Sequence, residues 1–120
     1  MLKLLNTGID HAVAFEISGK VTENDMALVL NQAREKIERY GQIVILEKID
    51  SFQGVEIAAI VEEFKYLMDL GMSNIDRVAI VTDKPWITHI ANIENKIFSK
   101  IEMKCFLIEE QAEAIQFLKS

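Results

Sequence analysis

Few side chains in this sequence could do chemistry. The chain of 120 residues holds one cysteine, Cys105, and two histidines, His11 and His89. The histidines are far apart, and neither belongs to a pair of ligands at helical spacing such as His-Glu-x-x-His, so nothing suggests a metal site of that kind. A single cysteine excludes an intrachain disulfide and a multi-cysteine zinc site, and its place inside an apolar run makes it a core thiol. Ser51, His89 and Asp83 all fall near the ends of expected strands and would be the members of a hydrolytic triad. However, no G-x-S-x-G elbow presents Ser51, and unrelated serine, histidine and aspartate residues occur in most domains of this size. Gly54 alone does not make a phosphate-cradling loop. The expectation is a chain with no catalytic residue, no metal and no cofactor, with a hydrolase kept as an alternative.

What remains is the stretch Asp50-Ser51-Phe52-Gln53-Gly54. It joins the apolar run Ile43-Val44-Ile45-Leu46 to an apolar-periodic segment from Val55 to Met72. In an α/β domain, this is where a ligand or a modification meets the sheet. A phosphate on Ser51 would stand near a helix N-terminus, where negative charge is welcome. In the plainer alternative, Ser51 or Asp50 simply satisfies backbone amides of the loop and the helix start.

The elements that must position this loop follow from periodicity. Met1 to Asn6 and His11 to Ser18 read as a hairpin, with Val13, Phe15 and Ile17 on one face of the second strand. Thr22 is an N-cap with Glu23 and Asp25 in the first turn. Met26, Val29, Leu30, Ala33, Ile37 and Tyr40 form the apolar stripe of the helix that follows, and Gly41 ends it. Gln42 to Ile49 reads as a central strand, and Val55 to Met72 as a helix apolar on more than one side. Val78 to Val81 is another buried strand, and Thr82-Asp83-Lys84-Pro85 is a turn that starts a helix at Trp86. That helix carries Ile90, Ile97, Phe98 and Ile101 on a broad apolar arc, with Glu94 inside it. A carboxylate there needs a partner or a wet site. Glu102 to Ile108 is the last strand, and from Glu109 a terminal helix turns Ala112, Ile115 and Leu118 inward. The order is β-β-α-β-α-β-α-β-α. Right-handed crossovers make it a single α/β domain, residues 1–120, with an antiparallel N-terminal hairpin, parallel core strands and covering helices.

Composition narrows the partners. Half the residues are hydrophobic and 27% are charged, as in ordinary folded domains. The net charge of -6 repels a phosphate backbone, so nucleic acid is not expected. Four lysines (Lys84, Lys96, Lys100, Lys104) against two glutamates (Glu94, Glu102) make residues 84–104 locally basic. No secretion signal and no membrane-length apolar run is evident, which leads to the expectation of a cytoplasmic protein.

Both the order of elements and a strand ending in Ile49-Asp50-Ser51, followed by Gly54 and a helix, resemble the STAS family of anti-sigma-factor antagonist domains. The chain most closely resembles the bacterial SpoIIAA-like branch grouped with STAS and SEC14 (CRAL-TRIO) lipid-binding domains. The residues carrying the resemblance are Asp50, Phe52 and Gly54, the strand Arg77-Val78-Ala79-Ile80-Val81-Thr82-Asp83, and Trp86. In the antagonists, a serine directly before the glycine is phosphorylated by a partner kinase; here Gln53 stands in that place and Ser51 lies three positions from Gly54. The SpoIIAA-like branch implies instead a small hydrophobic or lipid-like ligand, and a mobile helix that meets membrane surfaces. Carried over by position, that helix is Trp86 to Phe98, and the pocket is lined by Phe52, Phe64, Met68, Trp86, Ile90, Glu94 and Phe98. The lysines of the same segment would favour an anionic bilayer at the inner membrane face. The alternative implied by the resemblance is a protein interaction module docking through Asp50, Ser51 and Gly54. A homodimer is a further option.

Overall fold

The structure, a computed structural model, describes residues 2–18, 22–49, 74–82 and 102–119. Five strands are seen: β1 Leu2–Leu4, β2 Ala12–Ile17, β3 Ile43–Ile49, β4 Ile75–Thr82 and β5 Glu102–Leu107. Helix α1 spans Glu23–Tyr40, and helix α2 spans Gln111–Lys119 after a 3-10 turn at Ile108–Glu110. The strands form one sheet in the order β1-β2-β3-β4-β5. β1 is antiparallel to β2, and every later neighbour is parallel. This is the mixed α/β sheet with an N-terminal hairpin expected from the sequence. The expected helices Val55 to Met72 and Trp86 to Ile101 lie outside the described residues.

Local chemistry sets the bounds of α1. Thr22 Oγ1 accepts from the Asp25 amide at 3.1 Å, and Asp25 Oδ2 accepts from the Thr22 amide at 3.0 Å, a reciprocal capping box. At the other end Gly41 adopts φ 84°, a conformation costly for residues with a Cβ, and its amide donates to the Ile37 carbonyl at 2.8 Å. Between the caps, Val29 and Ala33 are fully buried against the sheet, with Leu30 and Ile37 partly so. Lys36 Nζ donates to the Ala12 carbonyl at 2.8 Å, fastening the helix to the start of β2.

The sheet buries both faces. On the α1 face the core runs through Val13, Phe15 and Ile17 of β2, Ile43, Ile45 and Ile49 of β3, Val78 and Ile80 of β4, and Met103 of β5. On the other face Ala12, Ala14, Val44, Leu46, Ala79, Val81 and Phe106 meet Ala114 and Leu118 of α2. Strands apolar on both sides fit the continuous apolar runs of β3 and β4.

Several details correct the sequence reading. β1 is three residues rather than six. β4 begins at Ile75, ahead of the expected Val78, and runs to Thr82, which is fully buried in the strand rather than part of a turn. Tyr40 does not complete the apolar stripe: at the last position of α1 it is 44% exposed. In α2 the buried positions are Ala114 and Leu118, while Ala112 is exposed. The 3-10 turn takes up Ile108–Glu110, so α2 starts later than Glu109; Leu118 is buried and Ile115 packs against the core as expected, while Ala114 takes the inward place expected of Ala112. Cys105 is partly buried, packed against the α1-side core rather than sealed in it.

Candidate functional site

The C-terminal ends of the parallel strands are where an α/β sheet places its ligands. Two polar side chains are fully buried in this part of the sheet, Glu47 of β3 and Thr82 of β4. Glu47 takes the inward position in the alternation Ile43, Ile45, Glu47, Ile49, so it shares the α1 face with those isoleucines. Both its carboxylate oxygens are shut off from solvent. The strand register sets Glu47 beside Phe15 on β2 and Ile80 on β4, with Leu4 and Cys105 continuing the row to the two sheet edges. A carboxylate is thus the centre of an otherwise apolar row. Burying such a group costs several kcal/mol unless polar groups meet it.

Thr82 stands one strand over, at the end of β4. Its Oγ1 donates to the Ile49 carbonyl at 3.4 Å, tying the last residue of β4 to the last residue of β3. β3 and β4 therefore end side by side, fastened to one another at Ile49 and Thr82. On the opposite face, Lys48 Nζ and Glu16 Oε2 stand 3.9 Å apart on neighbouring strands, both about four-fifths shielded.

The residues singled out from the sequence are Phe52, Phe64, Met68, Trp86, Ile90, Glu94 and Phe98 for the ligand, and Asp50, Ser51 and Gly54 for the loop. All of these lie outside the described residues, as do Ser51, Asp83 and His89 of the hydrolase alternative. Glu47 and Thr82 were not among the candidates. The signal for Glu47 was present, since a glutamate at an inward position of a period-2 strand is an anomaly; Thr82 was hidden by the turn-forming residues that follow it. Among the described residues no group of three His, Cys, Asp or Glu side chains could hold a metal ion, and no helix is long and apolar enough to cross a membrane.

A sheet of this order, with a hairpin leading into parallel strands and a helix on each face, is the architecture of STAS-type regulatory and interaction domains. The family model described as SpoIIAA-like matches residues 12–119, and the chain belongs to that family. No curated protein and no solved structure matches it.

Proposed function

We propose that this chain is a non-enzymatic regulatory domain that takes a small hydrophobic or lipid-like ligand against the α1 face of the sheet, at the ends of β3 and β4. The observation that carries the reading is Glu47: a fully buried carboxylate in an apolar row is the sparse polar group that an apolar site uses to orient its ligand. Thr82 supplies a hydroxyl on the neighbouring strand. The topology supports the same place. Strands β2 to β5 advance in one direction across the sheet, and α1, the described crossover between β2 and β3, covers the face that carries Glu47. In this proposal Phe52, Phe64, Met68, Trp86, Ile90, Glu94 and Phe98 complete the pocket from the two connections. The segment Trp86 to Phe98, with its lysines, also gives peripheral contact with an anionic membrane.

Native mass spectrometry of the purified protein, together with liposome flotation, tests this reading. The expected result is a co-purifying lipid-like species that is lost on Trp86→Ala or Phe64→Ala, the sheet remaining folded by circular dichroism. Ligand-free protein that does not float with anionic liposomes would overturn it.

A second reading is an interaction module of the antagonist kind, docking a protein partner through Asp50, Ser51 and Gly54. Membership of the SpoIIAA-like family fits it equally, and the Thr82 to Ile49 hydrogen bond gives such a loop a fixed starting point. Its mark is a purified complex lost on Ser51→Asp and unaffected by Trp86→Ala.

A further inference from the structure

At the opposite end of the sheet, Ile9 and Asp10 of the β1–β2 connection stand across an open cleft of ≈ 290 Å³ from Glu35, Lys36, Arg39 and Tyr40 of the last turns of α1, with Asp10, Glu35, Arg39 and Tyr40 exposed to solvent. That size is at the lower end of small-molecule sites, about 300–1,000 Å³. The walls are held in place. The Gly8 amide donates to Asn6 Oδ1 at 3.0 Å, and the Ile9 amide to Thr7 Oγ1 at 3.2 Å. The Ala12 amide closes the connection on the Ile9 carbonyl at 3.2 Å. Gly8 has φ 80°, which lets the chain turn here without strain. The Lys36 to Ala12 hydrogen bond ties the helix wall to the strand below.

Four charged side chains line this space, two of each sign. The ion pairs seen among the described residues are Lys48 with Glu16 and Arg77 with Glu102, and neither involves Asp10, Glu35, Lys36 or Arg39. Opposite charges that share a cavity without neutralising one another are complementary to a molecule carrying both signs. A simple anion would meet Asp10, Glu35 and the negative end of the α1 dipole, and a simple cation would meet Lys36 and Arg39. Ile9 and the half-exposed ring of Tyr40, itself tilted against His11 at 6.4 Å, add an apolar wall.

We propose that this cavity binds a free α-amino acid with an apolar side chain. The carboxylate is taken by the Arg39 guanidinium, which suits two-point recognition, and by the N–H groups that Lys36 keeps beyond its bond to Ala12. The ammonium group is taken by Asp10 or Glu35, and the side chain lies against Tyr40 and Ile9. The site is independent of the ligand proposed for the other end of the sheet.

The test is a titration of the isotope-labelled full chain with phenylalanine or leucine, followed by amide NMR, with acetate and methylammonium at matched ionic strength as single-charge probes. The expected result is saturable shifts at Gly8 to His11 and Glu35 to Tyr40 with the amino acids and none with the single-charge probes. Arg39→Gln should weaken binding by about tenfold, the loss expected when one charge-assisted contact is removed, and so should the double variant Asp10→Asn with Glu35→Gln, which removes both acceptors for the ammonium. Lys48→Gln, altering an ion pair elsewhere on the sheet, should leave it unchanged. No saturable shift at these amides up to the solubility of the amino acid would overturn the proposal, and so would acetate alone producing the same shifts.

Discussion

Arg77 holds the end of α2 in two ways at once: its Nη1 donates to the Phe117 carbonyl at 2.9 Å, and its guanidinium lies 5.5 Å from the centre of the Phe117 ring. The carbonyl is one of the last of the helix, left over by the intrahelical pattern, so a cation there both satisfies an acceptor and complements the dipole. Nε of the same side chain reaches Glu102 Oε2 at 3.2 Å on β5. One residue of β4 thus joins a neighbouring strand to the helix packed over the sheet. Arg77→Ala should lower stability by roughly 1–3 kcal/mol, the range for hydrogen bonds to charged groups plus lost packing. Glu102→Ala should cost under about 1 kcal/mol, because an exposed ion pair contributes little. Urea unfolding of both variants checks this, and equal losses would mean that the contact with Phe117 adds nothing.

The capping box at Thr22 makes a sharper claim on local structure. Thr22→Ala removes the acceptor for the Asp25 amide and should cost about 1 kcal/mol, whereas Thr22→Ser keeps it and should stay within a few tenths. The readout is the thermal midpoint. If alanine and serine behaved alike, the hydrogen bonds at the start of α1 would not be limiting.

How much of this was legible in the sequence depends on whether the cause is local. The caps of α1 are written in Thr22, Asp25 and Gly41, and the parallel strands in the runs Ile43 to Leu46 and Val78 to Val81. Crossovers between successive strands then make these strands a parallel core behind the N-terminal hairpin, while their order in the sheet is seen only in the structure. What was not legible depends on partners distant in sequence. The inward place of Ala114 in α2 is set by the 3-10 turn at Ile108–Glu110 and by the fit of Ala114 and Leu118 on β4 and β5. Tyr40 continues the helical stripe in sequence, but α1 ends there, before its ring can reach the core. The inward position of Glu47 was readable from the alternation Ile43, Ile45, Glu47, Ile49, but its neighbours Phe15 and Ile80 come only from the strand register. The charged cavity joins a loop near the N-terminus to the end of a helix some thirty residues later, and no motif links them.

Glu47 gives a prediction that separates volume from charge. Glu47→Ala removes a fully buried side chain from the central strand and should cost roughly 2–5 kcal/mol, as large-to-small changes in a core do. Glu47→Gln keeps the shape and changes only the polar chemistry, for a loss of about 1–3 kcal/mol. Denaturant unfolding should therefore rank wild type above glutamine and glutamine above alanine. An alanine variant as stable as wild type would show that the side chain is not enclosed by the core.

The second face of the sheet is shaped by small residues. Ala14 and Ala79 flank Leu46 in the strand register, and with Ala12 they are buried in the cluster that receives Ala114 and Leu118. Alanine at these positions lets α2 lie close to the strands, and Ala79 has no exposed surface at all. Ala79→Leu forces extra carbons into this contact and should cost about 1–3 kcal/mol, with α2 pushed from the sheet. Ala112→Leu is the matched control. In the structure Ala112 faces solvent, and the change should stay within about 0.5 kcal/mol. The expectation from the sequence alone, with Ala112 turned inward, makes the opposite claim for that residue. Unfolding midpoints of the two variants decide between them: a large loss at Ala112 would restore its inward place, and a large loss confined to Ala79 supports the packing described here.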